Sequence, residues 1–261
     1  MVRLPQAQGD LIVGPDSLDR RQIAHRSLWE RKKTIRLLYR DFHRRLLESC
    51  PPGPILDIGG GTAHIKDSRP DVITSDILSF PGIDVVADAH RLPFADRSFA
   101  GIVMLDVLHH LERPIEFLQE ASRVLQPGGR LAMIEPAMTA VARRFYHHFH
   151  VEPVDMDADA FAEVAIDPDR DPFDANQAVP TLLFATPAAC RRVEAVIPAL
   201  RVRSVDWFSL FAYPMSGGFQ NWSLMPAALV GPMLSLEDKI PGAVRRLIGF
   251  RMMVALERVE P

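Results

Sequence analysis

Cysteine is scarce: Cys50 and Cys190 are the only two in 261 residues, and no C-x-x-C pair exists. A disulfide framework, a zinc ribbon and a dithiol redox centre are therefore excluded. A reducing cytoplasm is the simplest setting for such a chain. No apolar run approaches the roughly 18–20 residues that span a bilayer. The opening MVRLPQAQGD carries no apolar core of a secretory signal. No membrane partner is expected. Gly-Lys-Ser/Thr is absent, which removes a phosphate P-loop. Tyr39, Tyr146 and Tyr213 are followed four residues on by His43, His150 and Gly217, never by Lys. That removes the Tyr-x-x-x-Lys pair of a short-chain dehydrogenase. Neither Asn/Asp-Pro-Pro-Tyr nor a Pro-Cys pair occurs, so two common routes to modifying nucleic-acid bases are missing.

What is present is an ordinary globular composition. Hydrophobic residues make up 48% and charged residues 24%, enough for a real core in one large α/β domain. The net charge of -3 hides an asymmetry. The chain is basic from Arg20 to Arg45 and acidic from Glu152 to Asp174. A basic helix can grip phosphate, but such runs are more often solvated faces, here with an acidic stretch available to pair with.

Residues 1–18 show no periodicity. From Ser27 to Ser49, Leu28, Ile35, Leu38, Phe42, Leu46 and Leu47 recur at helical spacing, and Pro51, Pro52, Gly53 and Pro54 end the helix. Short apolar strands are then expected at residues 55–58, 72–76, 84–88, 99–105 and 130–135. A helix is expected at 113–125, and between the first two strands only a helix of barely two turns fits. Strands alternating with helices imply a parallel sheet with right-handed crossovers. Residues 137–185, rich in Pro and Asp, break the alternation and read as an inserted cap. A helix near 187–197, a strand near 200–208, helical material around 222–248 and a last strand at 250–257 complete the chain.

The informative block is ILDIGGGTA, Ile55 to Ala63. Glycines after a strand let backbone approach a ligand closely, at the carboxyl edge where open α/β sheets bind ligands. A dinucleotide loop would need a third glycine where His64 stands. Further on, Asp76 ends the second strand, where a carboxylate can accept both hydroxyls of a ribose, and Asp88 ends the third, where it can accept from an adenine amino group. Ala89 offers a backbone N–H beside it. Three acidic strand ends, Asp57, Asp76 and Asp88, suit a ligand with ribose, adenine and a positive end, and repel a pyrophosphate.

These segments resemble the class I S-adenosylmethionine (SAM)-dependent methyltransferases, in particular the small-molecule branch similar to the ubiquinone/menaquinone-biosynthesis type. The matching stretches are LDIGGGTA, VITSDI, ADAHRLPFADRSFAGIVMLDVLHHL and LQPGGRLAMIEP. The resemblance implies a mostly parallel, seven-stranded Rossmann-like sheet of order 3-2-1-4-5-7-6. An N-terminal tail and helix (1–50) would precede a SAM-binding domain (51–261) with a substrate cap at about 137–185. It implies that Asp57, Gly59, Gly60 and Gly61 hold the methionine end of SAM. Asp76 with Ile77 would hold the ribose, Asp88 with Ala89 the adenine, and Leu105 and Asp106 would line the pocket near the sulfonium.

The implied reaction is methyl transfer to a small-molecule acceptor, with O-methylation of a sugar or secondary metabolite as first choice. A hydroxyl acceptor needs a base, and His109 and His110 after the fourth strand, with His147 in the insertion, are the candidates. His147, His148 and His150 lack an i, i+4 pair, so no metal site is expected. The alternatives are a nucleic-acid methyltransferase using the basic helix and a non-catalytic SAM-binding protein.

Overall fold

The computed structural model describes residues 20–149, 153–165, 167 and 169–260. The N-terminal helix is two helices, α1 (Arg20–Arg31) and α2 (Lys33–Ser49), where the sequence predicts one. The break is Lys32, whose backbone is extended (φ -99°, ψ 91°). Its ammonium donates to the carbonyl oxygens of Gly218, Gln220 and Trp222 at 2.7–2.8 Å. A tertiary demand thus interrupts a periodic helix. In α2, Ile35, Leu38, Phe42 and Leu46 form one fully buried stripe.

The sheet has seven strands: β1 (Ile55–Ile58), β2 (Ile73–Asp76), β3 (Val85–Val86), β4 (Phe99–Leu105), β5 (Leu125–Pro136), β6 (Leu200–Phe208) and β7 (Arg251–Arg258). Their order is β3-β2-β1-β4-β5-β7-β6. Only β7 is antiparallel to its neighbours. The expected order is the observed one. Alternation along the strands divides two cores. Leu56, Ile58, Ile102 and Met104 face α3 (Pro114–Val124). Ile55 and Val103 face α2.

Four departures from the predicted elements have local causes. Between β1 and β2 there is a single 3-10 turn, His64–Asp67, entered through a left-handed Ala63 (φ 58°), and no α-helix. The chain there is consumed by the glycine loop. Strand β3 shrinks to two residues at the sheet edge, with one neighbour. Strand β5 instead begins five residues early, because Leu125 already pairs with Phe99 and the Gln126–Gly129 turn is absorbed into the strand. The region around 222–248 resolves into a 3-10 turn and the short helices α8 (Val230–Glu237) and α9 (Gly242–Ile248), preceded by α7 (Ala212–Ser216). The insertion carries α4 (Ala140–Phe149) and α5 (Val179–Phe184), and α6 (Pro187–Val196) follows. No helix among the described residues is long and apolar enough to cross a membrane.

Candidate active site

The carboxyl ends of β1, β2 and β4 lie side by side, in register Asp57↔Thr74 and Asp57↔Val103. Gly59 and Gly61 have φ of 68° and 56°. A Cβ on Gly59 would collide with the methyl groups of Val107, so this position demands glycine twice over. The loop is pinned to β2: Gly60 N–H donates to Ser75 O (2.9 Å) and Gly61 N–H to Asp76 Oδ2 (2.8 Å). Asp76 Oδ1 accepts from Leu78 N–H at 2.8 Å.

Asp57 is the unusual member. Its side chain is 6% exposed, and among the described residues no group donates to its carboxylate. Burial, with the nearby Asp76 charge, pushes its carboxyl well above the usual range. Burial also raises Asp76, against the backbone N–H groups that favour its ionised form. The Lys66 ammonium, paired with Asp84 at 2.7 Å, offsets the rise at Asp57 only in part.

Beside them, Ile77 is 55% exposed, an apolar plate next to the Asp76 carboxylate. Asp88 accepts from both the backbone N–H (2.9 Å) and ring Nδ1 (2.6 Å) of His90. Burial alone would raise Asp88, but these bonds outweigh it and hold it low. Ala89 is buried next to it.

At the tip of β4, Asp106 adopts φ 60°. It accepts from the Tyr39 hydroxyl (3.2 Å) and is paired with Arg251 of β7. Glu135, fully buried in β5, accepts from Val107 N–H (2.9 Å), Leu108 N–H (2.7 Å) and the ring of His109 (2.6 Å). His109 is 3% exposed and lies in the 3-10 turn Leu108–His110, which Glu135 holds in place. His110 is half-buried, 6.5 Å from the Phe173 ring of the insertion. The side chain of His147, on α4, lies outside the described residues. Potential ligand atoms of Asp106, His109 and Glu135 lie within 4.8 Å of one another. Each already has protein partners, and Arg251 supplies the positive charge at that corner.

Sequence reasoning brings the three acidic strand tips, the glycine loop and the β4 tip to one edge. It misses Arg251, Glu135 and Lys32, which come from distant strands or a helix break and carry no local signature. Helix α1 covers this edge. Trp29 stacks on His64 with ring centroids 3.6 Å apart. Arg21 pairs with Asp171 (2.8 Å) and lies over Phe173. The expected pairing of the basic and acidic runs thus holds at Arg21. Several other arginines are taken up within the protein: Arg26 pairs with Glu30, Arg44 with Glu48, Arg45 with Asp41 and Asp238, and Arg36 donates to the Trp29 and Glu30 carbonyls. A separate cavity of about 430 Å³, lined by Arg143, Arg144, His148, Asp155 and Asp157 among others, belongs to the insertion.

This sheet order with its reversed seventh strand defines the class I methyltransferase fold. Residues 56–133 match a family model described as "Methyltransferase domain". The chain is 35% identical over 116 residues to the mouse (Mus musculus) protein named "Probable tRNA methyltransferase 9B", covering 39% of this chain and 26% of that one. It is 34% identical over 103 residues to a demethylmenaquinone methyltransferase of Beutenbergia cavernae, covering 34% and 43%. It therefore spans about a quarter and under half of these two relatives. A solved SAM-dependent methyltransferase from Thermotoga maritima shares the fold, with a TM-score of 0.53 at 13% identity, over 91% of this chain and 97% of that one.

Proposed function

We propose that the protein is a SAM-dependent methyltransferase that methylates a small-molecule acceptor, with oxygen as the methylated atom. The observation that carries this reading is Asp57: a buried carboxylate just before the glycine loop, with no donor among the described residues and open to a cation. The ammonium of the methionine end of SAM is such a group, and the Gly59–Gly61 backbone leaves room for it. The exposed face of Ile77 and the carboxylates of Asp76 and Asp88 suit the adenosine half. When bound, SAM supplies an electrophilic methyl group on a positive sulfur.

The chain's own residues do the rest. Leu105 and Asp106 would line the pocket near the sulfonium, and Arg251 keeps the Asp106 carboxylate fixed. Alignment of acceptor and methyl group can supply roughly 7–11 kcal/mol of the barrier. The acceptor hydroxyl must lose its proton as the new bond forms, and His110 takes it. His109 is buried against Glu135 and serves to hold the turn that presents His110. The described part of the insertion supplies the acceptor side, with the Phe173 ring 6.5 Å from that of His110. The similarity to a tRNA methyltransferase supports a second reading, an RNA acceptor. The pairing of Arg26, Arg36, Arg44 and Arg45 within the protein supports the small-molecule reading over it.

Calorimetry with S-adenosylhomocysteine, the demethylated product, tests the proposal. Uptake by the wild type, weakened in Asp76→Ala, is expected. Uptake of NAD(P) instead would refute it.

A further inference from the structure

Gln22 on α1 is 4% exposed, yet its side-chain carbonyl oxygen has no hydrogen-bond donor. A buried acceptor left open can take a donor that the protein itself does not supply. The course of α1 says which partner. Trp29, seven residues on and so only about 20° round the helix from Gln22, stacks on His64 in the turn after the glycine loop. Arg21, next to Gln22, is fastened to Asp171 and Phe173, and the Phe173 ring lies 6.5 Å from that of His110. The helix therefore bridges from the glycine loop to the turn after β4. Its inward face carries Gln22.

We propose that the Oε1 atom of Gln22 accepts a hydrogen bond from the ammonium of the amino-acid end of the bound cofactor. This rests on the SAM reading above. An amide carbonyl can only accept, so its partner must bring an N–H or O–H. The ammonium has three N–H groups, more than the Asp57 carboxylate alone would claim. Gln22 thereby makes α1 a reader of the amino-acid half: a nucleoside lacking that half gains nothing from the helix.

The test is calorimetry on the full chain with S-adenosylhomocysteine and with 5′-methylthioadenosine, which keeps the adenosine and thioether but lacks the amino-acid end. Gln22→Leu is expected to weaken S-adenosylhomocysteine roughly tenfold, as for one hydrogen bond to a charged group. It should leave 5′-methylthioadenosine unchanged and not lower the melting temperature without ligand. Gln22→Glu, which keeps an acceptor, should retain S-adenosylhomocysteine affinity. Unchanged affinity in Gln22→Leu, or equal losses for both nucleosides, would overturn the assignment while leaving the SAM reading standing. A wild type that takes up neither nucleoside would overturn both.

Discussion

Arg251, the first residue of β7, donates through both terminal nitrogens to the carboxylate of Asp106 at the tip of β4, one bond measuring 2.9 Å. The two residues are 145 positions apart in sequence. The arginine is 2% exposed, and the Tyr213 ring lies 4.0 Å beneath its guanidinium. The strand that reverses direction in the sheet thus supplies the cation that fixes the β4 tip.

Removing the arginine leaves the Asp106 carboxylate, 24% exposed, without its cation. Arg251→Met should cost about 1–3 kcal/mol in urea unfolding. Adding Asp106→Asn should recover much of that loss. Equal stability of the single and double variants would show that the pair is not coupled.

Asp57 couples ligand affinity against stability. Its carboxyl is raised in the fold, so the unliganded protein loses stability as pH climbs from the unfolded value toward the folded one. Asp57→Asn removes that loss. The variant should unfold at higher urea than wild type without ligand, with a larger gap at pH 7.5 than at pH 5, yet bind S-adenosylhomocysteine more weakly. A variant that is less stable at both pH values would contradict the buried-charge account.

His43 works in the opposite direction. Burial pushes it down to about 4 from an ordinary 6.5. The unfolded chain then binds a proton that the fold does not, and stability falls as pH drops from 6.5 toward 4, by up to about 3 kcal/mol. His43→Gln should flatten this part of the pH profile, read as the difference from wild type in urea midpoints.

Lys32→Met removes three bonds to the carbonyls of Gly218, Gln220 and Trp222. Hydrogen exchange in residues 217–222 should accelerate, with a stability loss of about 1–3 kcal/mol. Unchanged exchange would mean that the loop is held by other contacts.

The sheet was legible because its strands carry their burial in their letters. FAGIVML at 99–105 and the segment 200–208 fall where apolar runs and turn residues place them. Asp57 and Asp76 were legible for the same reason, each within the last two residues of a strand, whereas Asp88 stands two residues beyond the short β3. The break at Lys32 was not, since α1 and α2 share one helical period and only a loop far along the chain tells them apart. Nor was Arg251, which reads as an ordinary strand-start arginine until Asp106 stands opposite. The two-turn helix expected after the glycine loop failed because Ala63 takes a left-handed backbone.

The Lys32 ammonium sits where one helix ends, the next begins and a distant loop passes over. Swinging α1 outward would pull this cation from three carbonyl dipoles at once, while burial already disfavours its charge. Helix α1 and the loop at 218–222 are thus tied at a single knot. Displacing either one strains the other.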